Sequence, residues 1–525
     1  RAGWRCSGCG PRHKSRRHFF LCAEFWVHGV DEAEWSVGRL KVIPKSGDLS
    51  DPNKWRGIML LDVAGKVVCS IISRRLQSLL SDEGLEAQNG FTANRGCVDG
   101  SFSLRLALLK RKEHGLSTFA LFVDLVKAFD SVPRDGLFLI LHKFGVPPAL
   151  CEIIRRMYTG FVVKLDVGGT DVEIPSTVGV KQGDNLSPVL FLFTVQAAME
   201  TLNDIWPAAK PVFNTFPPTK STGRLRGRLK AQCSSARGTA FDFWVSLYAD
   251  DGAFLLRTRA ELIHATRLLF SHLKRFGLTM HVGRDGKKSK TEAMYFPPPG
   301  ESPDATLTAP FEVDGGSIAF TSRFTYLGSI VTADLRDATD VDNRIASATS
   351  AFGALHRCVF STKDISLDVK KAVYIAIVLS ILLYGSESWC LTEMLASRLR
   401  RFHNKCVRIM CRVTRYQTWK HRIRTEVLLQ RVGVRSMDYY LAARQLRWVG
   451  HVMRMDMSRL PRRFLTAWVQ HPRPVGRPQL TFGHSLLKLL KKTGVPCGKN
   501  GELDTWGVLA LDRASWRAMI AALRI

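Results

Sequence analysis

An acid set inside an otherwise apolar, strand-like run is the feature that most limits what this chain can fold into. In residues 119–130 (FALFVDLVKAFD), a stretch rich in Phe and Val surrounds Asp124; such a run reads as a buried strand ending at a site. An ionised carboxylate moved out of water costs on the order of several kcal/mol unless it is paired or bound to a metal. Residues 243–256 (FWVSLYADDGAFLL) read as two apolar arms folding back at Asp250-Asp251-Gly252, a tight hairpin with two carboxylates at its tip. Adjacent like charges there repel unless a cation sits among them. Divalent metal ions would relieve both difficulties. On the residues alone, a turn-capping Asp124 and a merely polar turn tip explain the pattern equally well.

The flanking pattern predicts an α+β domain built on an antiparallel sheet. RLKVI (39–43) and WRGIMLL (55–61) are short strand-like runs on either side of a turn-rich segment, together a basic hairpin. Val67, Val68, Ile71, Ile72, Leu76, Leu79 and Leu80 recur at helical spacing. Further helices are expected over SFSLRLALLKRK, RDGLFLILHKFGV, LSPVLFLFTVQAAM and ELIHATRLLFSHLKRFG. Asn203–Arg237, with its prolines and basic run, reads as an irregular surface insertion. From about Asp342 onward the chain is mostly helical and basic. Cys6, Cys9, His13, His18 and Cys22 are metal-site residue types, but their spacing is not that of a zinc knuckle. Cys406, Cys411 and His421 match no zinc spacing either, and the two cysteines read as core residues.

Lysine and arginine number 76 against 46 acids, a formal net charge of +30 spread from the first row to the last. That spread implies a polyanionic partner contacted over a long surface, nucleic acid before all others, although a ribosome-like or chromatin-like binder shares it. The longest apolar run, Ala372–Tyr384, falls short of the roughly 20 residues a membrane span needs, so no membrane partner is expected. The 12 cysteines, scattered among apolar segments with no secretory signal, suit a reduced, intracellular protein, and a nuclear location is expected. The chain begins with Arg1 and is expected to be a fragment or a conceptual translation.

Five ordered segments, FVDLVKAFD, GVKQGDNLSPVLFLF, YADDGAFL, GLTMHVGRDGKKSKTEAM and YLGSIV, resemble the successive palm motifs of reverse transcriptases from non-LTR (LINE-like) retrotransposons. RLKVIPKSGDLSDPNKWRGIMLL and QNGFTANRG resemble the fingers of the same family, and LLYGSESW, RQLRWVGHVMRM and RPVGRP resemble the segments that follow the polymerase. The resemblance implies a right-hand polymerase: a basic irregular segment over 1–36, fingers and palm over 37–335, a helical thumb over 336–430, and a basic C-terminal extension over 431–525.

It also implies roles residue by residue. Asp124, Asp250 and Asp251 match the ligands of two Mg²⁺ ions, with Mn²⁺ as the alternative ion. Phe129 matches the aromatic steric gate against a 2′ hydroxyl; without the resemblance it would be an ordinary core aromatic. Gln182 and Gly183 match the motif beside the template base and incoming nucleotide, where glycine permits close backbone approach, and Lys181 adds positive charge. Arg56 matches a residue clamping the triphosphate, assisted by Lys41 or Lys45. Lys290 matches a lysine that protonates departing pyrophosphate, with a solvated surface lysine as the plain alternative. The implied partners are an RNA template, a DNA primer, their RNA–DNA hybrid and dNTPs. Thr92 stands where the family usually has arginine, with Arg95 kept; His281 stands where asparagine is common. Two rival readings are an RNA-dependent RNA polymerase on the same palm and a decayed or repurposed RNA-binding remnant. Related elements often add an endonuclease, and no residue cluster here is assigned to one.

Overall fold

Strand β3 (Thr118–Val123) is buried along its whole length, and its side chains alternate between two cores. Phe119, Leu121 and Val123 enter one, Ala120 and Phe122 the other. Burial on both faces is why the strand reads as a continuous apolar run rather than an alternating one. The computed structural model describes residues 36–523 apart from 46–47, 52–53, 216–238, 303, 473, 475–479 and 500. In it β3 sits inside a four-stranded antiparallel sheet, the palm, in the order β10 (Glu292–Phe296), β3, β9 (Asp251–Leu256), β8 (Val245–Tyr248). The class is α+β.

A second sheet, in the position of fingers, has the order β2 (Trp55–Leu60), β1 (Val37–Pro44), β4 (Val162–Val167), β5 (Thr170–Pro175), with β1 and β4 parallel and the rest antiparallel. One palm core is filled by α1 (Val63–Glu83), α5 (Ser187–Asp204) and α6 (Arg259–Arg275). The ends of these helices are fixed locally. The Asp62 carboxylate accepts from Ala64 and Gly65 N–H, the Thr258 hydroxyl from Glu261 N–H, and the Asp184 carboxylate from Leu186 and Ser187 N–H at 2.7 and 2.5 Å. The opposite core receives α2 (Cys97–Glu113), while α3 (Arg134–Lys143) and α4 (Pro148–Tyr158) lead from β3 into the fingers sheet.

Residues 203–237 are not wholly irregular. Val212–Thr215 forms strand β6, paired with β7 (Thr239–Asp242), and Phe213 is fully buried. An apolar aromatic set against Phe241 and Phe464 outweighs the turn-forming composition around it; residues 216–238 lie outside the described set. Two more hairpins, β11 (Phe311–Val313) with β12 (Gly316–Ile318) and β13 (Arg323–Tyr326) with β14 (Ser329–Thr332), complete the strands.

Beyond them α7 (Ala338–Ala354), α8 (Leu367–Val373), α9 (Glu393–Met410) and α11 (Thr425–Val432) surround a core of their own, in which Cys406 and Cys411 are buried, and α10 (Arg415–Lys420) links α9 to α11 without a buried residue. The described helices of the C-terminal extension pack onto the palm. Helices α12 (Met437–Met453), α13 (Leu460–Leu465), α14 (Phe482–Lys492), α15 (Trp506–Leu511) and α16 (Arg513–Ala521) share one core with α2 and the back of the palm sheet. Phe102 of α2 meets Trp448 and Phe482 edge-on at 5.4 and 5.1 Å, and Asn214 and Trp468 exchange two backbone hydrogen bonds. Cys6, Cys9, His13, His18, Cys22 and most of RPVGRP lie outside the described residues.

Candidate active site

The register of the palm sheet brings the three acids together. Val123 lies opposite Gly252, so Asp124, one residue on, comes to the start of β9 at Asp251. Tyr248 pairs with Asp251, which makes the hairpin apex Ala249-Asp250, one residue before the tip read from the sequence. A two-residue hairpin needs left-handed backbone in its turn, and Ala249 takes it with φ 55° although it is not glycine. Asp124 is held by Thr291, whose hydroxyl accepts from Asp124 N–H at 3.2 Å, and its carbonyl accepts from His281 N–H at 2.8 Å.

Charge accumulates here without full compensation. Burial, then Asp250, then Asp124 push the Asp251 carboxyl up to about 6. Asp250 is also raised, by burial first and by Asp124, with Arg56 opposing the shift. Arg56 of β2 thus lies within electrostatic reach of Asp250, whereas Lys45 lies exposed just past β1, its backbone N–H donating to Lys54 O at 2.7 Å, and Lys41 sits mid-strand. Lys290 Nζ stands 3.7 Å from Asp124 Oδ2. His281 ties that lysine's backbone down, its Nδ1 accepting from Lys290 N–H at 3.2 Å, and burial followed by Lys290 depresses the imidazole pKa. Among the described residues no group of three or more His, Cys, Asp or Glu side chains is placed so that it could hold a metal ion. The donor chemistry nevertheless fits a divalent cation, because oxygen ligands that resist one another's ionisation are what such an ion relieves.

Phe129 lies half-buried, stacked on Phe191 at 4.6 Å and edge-on to Phe91 at 6.3 Å. Gly183 has φ 125°, and a Cβ there would collide with the Met59 carbonyl oxygen; beside it Met59 N–H donates to Gln182 O at 3.0 Å. The close approach this glycine permits here is therefore to β2 of the fingers. Lys181, expected to add charge at the site, is buried instead: its ammonium donates to Met157 O at 2.5 Å and lies 3.8 Å from the Phe161 ring centre.

Gln88 is the residue whose importance the sequence reading missed, although it opens the quoted QNGFTANRG. Residues 87–89 run alongside β8, with Leu247 N–H donating to Ala87 O at 2.9 Å and Asn89 N–H to Leu247 O at 2.8 Å. The buried Gln88 Oε1 then accepts from Gly90 N–H at 2.8 Å and from Ala249 N–H at 2.9 Å, bracing the left-handed turn that carries Asp250. Arg95 holds this loop from behind, donating to Leu85, Glu86 and Gln88 carbonyls and pairing with Glu86 at 2.6 Å. Arg459 of the C-terminal region bridges Glu86 and Asp99 at 3.0 and 2.9 Å. Arg95 is thus a brace for this loop.

The family model described as reverse transcriptase (RNA-dependent DNA polymerase) matches residues 43–331, more than half of the chain. The chain is 30% identical over 168 residues to the Pol polyprotein of the Drosophila melanogaster type-2 retrotransposable element R2DM, covering 32% of this chain and 16% of that protein. It is 30% identical over 167 residues to an R2 Pol polyprotein of Popillia japonica, covering 31% and 23%. A putative 115 kDa protein of the Drosophila melanogaster element R1DM aligns over 73% of this chain and 33% of its own length at 24% identity. The chain therefore spans no more than a third of these relatives. Among solved structures, a Candida tropicalis telomerase in complex with a fragment of telomeric RNA aligns over 85% of this chain and 68% of its own at 12% identity, with a TM-score of 0.39.

Proposed function

Because the chain belongs to the reverse transcriptase (RNA-dependent DNA polymerase) family, its relatives being non-LTR retrotransposon proteins, we propose that it extends the 3′ hydroxyl of a DNA primer with dNTPs on an RNA template. The observation that carries this reading is the convergence of Asp124 with Asp250 and Asp251 through the β3–β9 register. These three residues would hold two magnesium ions. Bound there, the ions would supply positive charge to the attacking hydroxyl and the leaving pyrophosphate.

The remaining roles belong to the chain's own side chains. Arg56, with Lys45, grips the triphosphate from the fingers; its electrostatic reach to Asp250 supports this. Phe129, wedged between Phe91 and Phe191, has little freedom to yield, which supports its use against a 2′ hydroxyl. Gln182 and Gly183 line the nucleotide's approach, and Lys290, beside Asp124, is positioned to give a proton to pyrophosphate. Residues 336–430 act as the thumb on the template–product hybrid through phosphate contacts. Among the described residues no helix is long and apolar enough to cross a membrane, and a nuclear site of action is proposed.

Primer extension on an RNA template with purified protein tests the whole reading. Wild type extends with dNTPs in Mg²⁺, Asp250→Asn does not, and Phe129→Ala gains ribonucleotide use. RNA binding with no Mg²⁺-dependent extension by the wild type identifies a repurposed binder, and a preference for NTPs identifies an RNA polymerase.

A further inference from the structure

From Met394 to Thr425 the chain holds ten Lys and Arg and no Asp or Glu. At the end of this stretch stands α10, a single short helix with no buried residue. It presents two aromatic rings to solvent: Trp419 is 76% exposed and Tyr416 62%. Isolated surface aromatics are unremarkable, but these two are adjacent, their ring centres 6.1 Å apart, with Lys420 Nζ 5.7 Å from the Tyr416 ring centre. Around them Arg412, Arg415, Lys420, Arg422 and Arg424 are all exposed.

The backbone that carries the rings is held in place. Arg412 and Arg422, on either side of α10, take left-handed backbone at φ 57° and 47°, each closing the helix before it. The next residues, Val413 and Ile423, are half-buried against the core of α7–α11 and pin both ends of the turn. Thr414 and Gln417 cap α10 reciprocally, with Gln417 N–H donating to Thr414 Oγ1 at 3.1 Å and Thr414 N–H to Gln417 Oε1 at 2.8 Å. Non-glycine residues kept at positive φ on a surface turn indicate that its shape is specified. A rigid, charged, doubly aromatic surface suits a polyanion that also offers flat rings. Unpaired bases offer such faces all along a strand, while a duplex hides them in its stack.

We propose that the turn 412–424 is a binding surface for single-stranded RNA, its bases stacking on Trp419 and Tyr416 and its phosphates paired with the flanking arginines and Lys420. The choice of RNA rests on the reading of the chain as an RNA-templated polymerase. The surface would hold template that has not yet entered the hybrid.

The test is fluorescence anisotropy of the full chain with three labelled ligands: an unstructured single-stranded RNA of about 20 nucleotides (a few stacked bases plus flanking phosphates), DNA of the same sequence, and a blunt RNA–DNA hybrid. Trp419→Ala/Tyr416→Ala weakens RNA binding by about tenfold or more, in line with two lost stacking partners. Hybrid binding and the thermal midpoint stay at wild-type values, and Trp419→Phe/Tyr416→Phe restores affinity. Arg415→Gln/Lys420→Gln instead lowers the salt dependence of RNA binding. Unchanged RNA affinity in the double alanine variant overturns the proposal, as does an equal loss on the blunt hybrid or a preference for the DNA strand. Primer extension by the wild type, with Asp250→Asn as its inactive control, separates the two readings: if the wild type never extends a primer while Trp419-dependent RNA binding persists, the polymerase assignment fails and this surface stands.

Discussion

Replacing Gln88 by leucine isolates the bracing of the catalytic turn from the carboxylates themselves. Gln88 Oε1 accepts two hydrogen bonds, from Gly90 and Ala249 N–H. A left-handed alanine costs roughly 1–2 kcal/mol, and two hydrogen bonds at about 1 kcal/mol net each just offset it. Leucine removes the shared acceptor and leaves two buried N–H groups that cost about 1–3 kcal/mol each if the turn stays put. The turn therefore relaxes, Asp250 and Asp251 leave their register with Asp124, and a loss of about 2 kcal/mol in the competent state lowers the extension rate about 30-fold. Single-nucleotide, single-turnover primer extension reads this as a fall in maximal rate with little change in the dNTP concentration at half-maximum. Adding Ala249→Gly, which takes the left-handed conformation freely, recovers part of the lost rate. Wild-type rates in Gln88→Leu, or no recovery with glycine at 249, refute the idea that this glutamine offsets turn strain.

Three other perturbations follow from the same geometry. The Asp251 carboxyl is raised from 3.8 to about 6 in the fold, so the folded chain keeps a proton that the unfolded chain releases; stability falls as pH rises across that window. Without divalent ions, Asp251→Asn therefore melts higher than wild type at pH 7.5 and equally at pH 4, and Mg²⁺ raises the wild-type midpoint more than the variant's; a wild type at least as stable as the variant at pH 7.5 would count against the repulsion. Gly183→Ala forces a β-carbon against the Met59 carbonyl at φ 125°, so the fingers shift, costing more than about 1 kcal/mol, and the dNTP KM rises; an unchanged KM contradicts the proposed contact. Phe464, fully buried and edge-on to Phe213, Phe241 and Phe243 at 5.0–5.3 Å, joins the C-terminal helices to the palm. Phe464→Ala costs about 3–5 kcal/mol, and calorimetry should show one shifted transition rather than separate melting of residues 437–523.

What the sequence determined by itself was set by local chemistry. The apolar run around Asp124 and the two apolar arms around Asp250-Asp251 made the α+β class legible, while the three carboxylates stood out as a set only through their place in ordered motifs. Phe129, Gln182 and Lys290 were legible as residues to watch, through their place in ordered motifs. Decisions made by contacts distant in sequence were not legible. Gln88 and Ala249 are 161 positions apart, and nothing in a glutamine announces which N–H groups it will meet. Lys181 carries the same charge buried against Phe161 as it would in a cleft, and Gly183 signals freedom without naming Met59 as the neighbour. The largest decision of this kind concerns the C-terminal helices. Their apolar positions show that they must be covered, but only the tertiary structure shows that they cover the back of the palm sheet, where Ala120, Phe122, Ala253 and Leu255 need the same shelter from water.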